Sequence, residues 1–271
     1  MSAAAGPLPG TVGGVRESAD FVQSLARGLG VIRAFDRDHP SLRLSDVARR
    51  ADLTRAAARR FLLTLEELGY VRSDDGVFSL TPRVLELGFS YLSAARLPAL
   101  VQPHLVDLAE RIDESASVAV RDDTDIVYVG RVAPRRIMSV GITVGTRFPA
   151  ASTSMGRVLL AALDDDAVRA ILERSTLEAH TAATLTEPDD LLRAVALVRA
   201  QGWALVDGEL ETGLLSVAAP VHDARGRVIA AVNVALPSAR IGADRARSDI
   251  LPALVETARR IDEDLRLQHP G

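Results

Sequence analysis

The sequence predicts a two-domain α+β protein. Three observations carry that expectation. The front of the chain holds short amphipathic helices followed by two β-prone runs around an Asp-Gly turn. The rear half holds grouped apolar strands with helices between them. The length, 271 residues, exceeds what one hydrophobic core of ordinary size organises. Hydrophobic residues make up 48% of the chain, enough to fold both parts.

The front part is built around Asp52–Gly69, DLTRAAARRFLLTLEELG. Thr54 is a good N-cap, because its side-chain oxygen can accept from the open first turn. Three alanines, Ala56 to Ala58, favour helix. Gly69 supplies the left-handed terminator. Ala58, Phe61, Leu62, Leu65 and Leu68 recur at helical spacing and are expected inward. Arg55, Arg59 and Arg60 project elsewhere from the N-terminal half. Cations there oppose the helix dipole, which makes sense where the helix start faces an anion. Phosphates and guanine edges of DNA are such partners. The plainer alternative is a solvated arginine face.

The neighbours complete a motif. Residues 1–19, rich in Gly, Ala and Pro, are expected to be disordered. Asp20 precedes a helix over Phe21–Phe35, and His39-Pro40 breaks it. Ser45 is expected to cap a short helix, Asp46–Ala51, and Asp52-Leu53-Thr54 turns into the central helix. This is a helix-turn-helix, whose second helix enters the major groove. Val71-Arg72-Ser73 and Val77-Phe78-Ser79-Leu80 flank Asp74-Asp75-Gly76, a hairpin that makes the wing of a winged helix. The DNA-facing candidates are Ser45, Thr54, Arg55, Ala56, Arg59, Arg60 and, on the wing, Arg72. Thr81-Pro82 opens a linker helix to residue 96, apolar enough to pack against a second copy. The domains expected are thus 20–81, a linker at 82–96, and 97–271.

The rear half begins with a helix, Leu97–Ile112, bent or restarted at Pro103. Strands are expected at Ser115–Arg121, Asp125–Val132, Ile137–Val144, Trp203–Val206, Leu215–Val221 and Val228–Leu236. Helices are expected at Ser154–Ala162, Asp164–Arg174, Glu187–Gln201 with Thr186 as cap, and Ala243–Leu267. Such grouping gives a mostly antiparallel sheet. The loop Gly145–Met155, GTRFPAASTSM, ends in Ser152, Thr153 and Ser154 at a helix start, which suits a carboxylate or phosphate. A plain N-cap explains the same residues. Asp207 and Glu209 follow one strand, Ser216 opens another, and Asn233 interrupts an apolar run. A polar residue in such a run either pairs in the core or lines a cavity.

Charge and composition narrow the function. The net charge is −4, yet residues 21–95 hold eleven arginines against nine acids, a mildly basic part on an acidic body. There is no cysteine, which excludes disulfides, thiolate nucleophiles and cysteine-ligated metals. The five histidines show no metal spacing, so neither a metal nor another cofactor is expected. No apolar run reaches the ~20 residues of a membrane span, and a cytoplasmic protein is expected. An enzyme reading would make Ser154 a nucleophile with His180 or His222 as base. No nucleophile-elbow pattern supports it, so no catalytic residue is assigned. A winged helix that binds protein rather than DNA is a further alternative, opposed by the three arginines.

The stretches SLARGLGVIRAF, LSDVARRADLTRAAARRFLLTLEELGYV, FSLTPRVLELG, GTRFPAASTSMGRVLLA and GLLSVAAPVHDARGRVIAAVNVALP resemble the IclR family of bacterial transcriptional regulators. LTRAAARRFLLTLEELGYV with TSMGRVLLA is most similar to the subgroup governing protocatechuate and para-hydroxybenzoate breakdown. The resemblance implies an N-terminal winged helix, a linker helix and a GAF-like C-terminal effector domain, assembled as a homodimer or dimer of dimers on double-stranded operator DNA. It implies a pocket at Ser154 and Met155, the acidic turn of Asp207 and Glu209, Ser216, and the strand positions Asn233 and Ala235. Some relatives have a small residue at Met155, Cys at Ser216 and Ser or Cys at Asn233, so the pocket's shape is expected to differ. The implied ligand is a small organic acid, a hydroxylated aromatic acid or its ring-opened keto-acid product. Its carboxylate would sit at Ser152–Ser154 with Arg147 as an extra cation, and a ring hydroxyl would donate to Glu209 or Asp207.

Overall fold

A computed structural model describes residues 20–36, 38–88, 97–133 and 142–268. The chain divides after residue 91 into two compact units. The expected disordered tail and the second half of the expected linker helix lie outside the described residues. What is described of that linker is a 3-10 turn, Pro82–Val84, capped by Thr81, then helix over 85–88.

The first unit packs α1 (Gln23–Arg33), α2 (Leu44–Arg50) and α3 (Arg55–Glu67) beside a three-stranded sheet of β1 (Ser41–Arg43), β2 (Val71–Asp74) and β3 (Val77–Leu80). Thr54 caps α3 by accepting from the Ala57 N–H. At the other end Gly69, at φ +80°, lets the Tyr70 N–H reach the Leu65 carbonyl and its own N–H reach Glu66, which closes the helix. Ala58, Leu62 and Leu65 are buried as expected, whereas Phe61 is half-buried and Leu68, beyond the last turn, is exposed. The expected Ser45 cap is corrected. The helix begins two residues earlier than expected, at Leu44, with Arg43 in the cap position and no side-chain cap. The reason is β1, a strand that the sequence did not suggest. Its pairing with β3, Leu42 opposite Phe78, delivers the chain extended to the helix start.

The second unit centres on a six-stranded antiparallel sheet in the order β6-β5-β4-β9-β8-β7. Its strands are β4 (Ser115–Asp122), β5 (Asp125–Val132), β6 (Arg147–Pro149), β7 (Ala204–Asp207), β8 (Leu214–His222) and β9 (Val228–Pro237). One face carries α4 (Leu97–Ile112), unbroken through Pro103, and the C-terminal helix α9 (Leu251–Gln268). The other carries α5 (Ser154–Ala161), α6 (Asp165–Arg174) and α7 (Pro188–Gln201). Three expectations are revised. The expected strand Ile137–Val144 falls mostly outside the described residues, and the edge strand described is β6, inside the Gly145–Met155 loop. Thr186 does not cap α7, because Glu187 holds the cap position and Pro188 fixes the first turn. The terminal helix runs from Ala243 as expected but is not α-helical throughout: a π-helical turn at Ala246–Ile250 stands between α8, Ala243–Arg245, and α9.

Strand alternation sorts the two faces. Val118, Leu215, Val217, Val232, Val234 and Leu236 pack under α4 and α9, against Leu105, Leu108, Leu254 and Ile261. The residues between them point at α5 and are small. The start of α5 lies close to the preceding turn: a Cβ on Gly156 would stand 2.0 Å from the Ala150 carbonyl oxygen. Gly156→Ala is therefore expected to cost roughly 1–3 kcal/mol by overpacking, read as a lowered Tm. Wild-type stability in that variant would contradict the close approach.

Candidate functional site

On α3, Thr54, Arg55, Ala56, Arg59 and Arg60 are all exposed. Among the described residues, no carboxylate pairs with the three guanidiniums. Ser45 is exposed on α2. Arg72 is exposed and donates from Nε to Ser79 Oγ at 3.1 Å, across the hairpin. The wing tip itself carries two exposed acids, Asp74 and Asp75. The cation of this wing is thus Arg72, on the strand and away from the tip. Arg83 is spent locally: it donates to the Leu68 carbonyl at 2.8 Å and lies over the Tyr70 ring.

The second unit contains a cavity of about 670 Å³ between the sheet and the start of α5. Its origin is the sheet face just described. Register places Ser115, Ala235 and Ser216 in one transverse row and Ser117, Asn233 and Ala218 in the next. Side chains this short cannot fill the space beneath a helix, so a hollow remains. Ser152, Thr153, Ser154, Met155, Ser216, Asn233 and Ala235 all line it.

Their roles differ. Thr153 is the N-cap of α5, with Oγ1 accepting from the Gly156 N–H at 3.1 Å. Ser154 Oγ lies 2.7 Å from Ser216 Oγ, which also accepts from Asn233 Nδ2 at 3.0 Å. Asn233 is buried, and its Oδ1 has no hydrogen-bond partner among the described residues. A buried acceptor left open costs about 1–3 kcal/mol, and the residue that carries it lines the cavity.

Two expected acids are elsewhere. Asp207 is exposed at the end of β7 and does not line the cavity. Glu209 is buried beside it, but its carboxylate accepts from Arg157 Nη2 at 2.6 Å. Arg147 is also corrected. It is held by Asp122 at 2.6 Å and Asp125 at 3.1 Å, outside the cavity lining. Burial would lower its pKa, but those two partners together hold the guanidinium above its ordinary value.

The cation in the cavity is Arg131, which the sequence reading missed. It reaches the cavity through a β-bulge. Val118 pairs with Gly130 but Ala119 pairs with Tyr128, so Val129 is an extra residue in β5. Tyr128 and Arg131, three apart, would lie on opposite faces of a regular strand, and the bulge brings both to the cavity. Gly130 is required there, since a Cβ would come 2.9 Å from Val118 Cγ1. A glycine inside an apolar strand was the available signal. Arg131 is half-buried and donates to Ser117 Oγ at 3.3 Å. Burial pulls its guanidinium below the ordinary value, and the neighbouring Tyr128 counters this. The Tyr128 phenol is pushed up to about 12 by burial, against the opposing Arg131 charge, so it remains a neutral O–H donor. Its ring meets Phe148 edge-on at 5.8 Å.

The geometry does not favour the alternative with Ser154 as nucleophile. His222 is engaged by Asp262 of α9, 2.8 Å from Nδ1, and does not line the cavity. His180 lines it, but no hydrogen bond joins it to Ser154 among the described residues. No group of potential metal ligands and no helix long and apolar enough to cross a membrane occurs among the described residues.

Comparison with known proteins finds two family models on the chain. The IclR helix-turn-helix domain matches residues 24–75, and the bacterial transcriptional regulator IclR C-terminal domain matches residues 89–263. The chain is 44% identical to the Pca regulon regulatory protein of Pseudomonas putida, over 89% of this chain and 83% of that one. It is 36% identical to the p-hydroxybenzoate hydroxylase transcriptional activator of Acinetobacter baylyi, over 88% and 90%. A crystal structure of an IclR homolog from Microbacterium hydrocarbonoxydans, complexed with 4-hydroxybenzoate, superposes with a TM-score of 0.79 at 27% identity, covering 90% of this chain and 99% of that one.

Proposed function

The chain belongs to the IclR family of bacterial transcriptional regulators, and from that premise we propose that it senses a hydroxylated aromatic acid in its second unit and regulates genes of aromatic-acid breakdown. The observation that carries the ligand chemistry is one transverse row of the sheet. Arg131, Ser117 and Asn233 sit on adjacent strands β5, β4 and β9. Strands two apart are separated by roughly 10 Å. A cation therefore stands at one end of the row and an open buried acceptor, Asn233 Oδ1, at the other. A carboxylate on Arg131 and a para hydroxyl donating to Asn233, with the ring between, satisfies both. The relatives' names and the 4-hydroxybenzoate complex support this class of ligand.

Two copies of the chain would present two α3 helices to operator half-sites about one DNA turn apart, roughly 34 Å. Ligand shifts operator occupancy only through its different affinity for the two arrangements of such an assembly. The protein would work in the cytoplasm, and its relatives are regulators, not enzymes.

Titration of the full chain with para-hydroxybenzoate and with benzoate tests the assignment. Benzoate fills the same ring space but leaves Asn233 Oδ1 unpaired. It should bind about 10- to 100-fold more weakly. Equal affinities would remove Asn233 as the hydroxyl acceptor.

A further inference from the structure

The buried pair Arg157–Glu209 is not part of the cavity surface, yet it joins the two segments that form two of its walls. Arg157 stands one turn after Ser154 on α5, and Glu209 stands between β7 and β8, just before the cavity-lining residues 210–213. Both side chains are more than nine-tenths buried. Arg157 donates from Nη2 to Glu209 at 2.6 Å and from Nε to the Ala151 carbonyl at 3.1 Å. The same Glu209 oxygen accepts from the Leu185 N–H at 3.3 Å, and the Glu209 carbonyl accepts from Thr184 Oγ1 at 2.6 Å. Thr181 Oγ1 donates to the Gly208 carbonyl at 2.6 Å. Two charges taken out of water are weak stabilisers compared with packed apolar groups. What they supply here is directional bonding among three segments distant in sequence.

We propose that Arg157 and Glu209 are positioning residues, a strut that sets the 207–213 loop at a fixed distance from the start of α5 and so fixes the width of the cavity. Glu209 then acts on the ligand through the wall it holds, without touching it. The consequence for ligand affinity rests on the reading of the cavity as the effector site, whereas the consequence for the loop does not.

The test uses the full-length protein in two variants. Glu209→Gln keeps the shape of the side chain and removes its charge. The double variant Arg157→Met with Glu209→Leu removes both charges, so no ion is left buried alone, and its Tm should stay near wild type. Amide hydrogen exchange without ligand should rise about tenfold or more across residues 207–214 and 150–154 in both variants. Para-hydroxybenzoate should bind about tenfold or more weakly, because the wall must now be ordered on binding. Operator affinity without ligand should be unchanged. Exchange at the wild-type rate in both variants would overturn the strut. A lowered Tm with unchanged exchange and unchanged ligand affinity would show a role in stability alone and would equally overturn it. If wild type fails to bind para-hydroxybenzoate, the effector reading fails, and the exchange arm still decides the strut.

Discussion

Arg131→Ala is expected to weaken binding of para-hydroxybenzoate by roughly thirtyfold or more, with operator affinity in the absence of ligand unchanged. The carboxylate would lose its cation in a site whose other lining holds two carboxylates, Glu114 and Glu211, beside hydroxyl, amide, imidazole and apolar groups. Removing one partner of such a buried pair costs about 2–5 kcal/mol, chiefly because the other charge stays buried alone. Every 1.4 kcal/mol is a factor of ten. Arg131→Lys should recover only part of the loss, since lysine restores charge without the planar fork that matches a carboxylate. Arg147→Ala provides the contrast. Arg147 is already paired with Asp122 and Asp125 and does not line the cavity, so calorimetric titration of that variant should give wild-type affinity. Full affinity in Arg131→Ala would displace the carboxylate from Arg131.

The second large effect is on DNA. Alanine at Arg55, Arg59 and Arg60 together should reduce operator binding by roughly a hundredfold or more, taking about 1–3 kcal/mol for each arginine that reads a base edge. Each arginine that meets phosphate instead should lower the slope of log K against log salt by about 0.9. The fold should survive. All three side chains are exposed, alanine is the strongest helix former, and the change removes cations from the end of α3 where the dipole disfavours them. Lost binding with an unchanged or raised Tm separates recognition from unfolding. A gel shift at two salt concentrations that matches wild type would end the assignment of α3 as the reading helix.

Local signals in the chain were enough for most of the front unit. The Thr54 cap, the Gly69 terminator and the turn at Asp52 each act within a few residues, so residue order alone specifies them. The hairpin after Gly69 is of the same kind, as is the start of α5 at Thr153. β1 escaped because three residues carry no period, and only Leu42 meeting Phe78 makes them a strand. The cavity was legible as a place: the run of serines before Met155, Ser216, and Asn233 within an apolar strand all face it.

The polarity of the cavity was not legible, because it depends on contacts between distant residues. Arg147 looks like the cation of the loop in sequence, and pairing with Asp122 and Asp125, more than twenty residues earlier, takes it away. Glu209 looks like a lining acid until Arg157, fifty-two residues away, engages it. By itself the sequence determined the family, the helix-turn-helix and the strands that enclose a hollow, since these follow from period, capping and residue size. Tertiary structure alone decided which charges enter that hollow. One bulged residue, Val129, changes the side of the sheet on which Arg131 emerges, and a pleat counted along the chain does not reveal it.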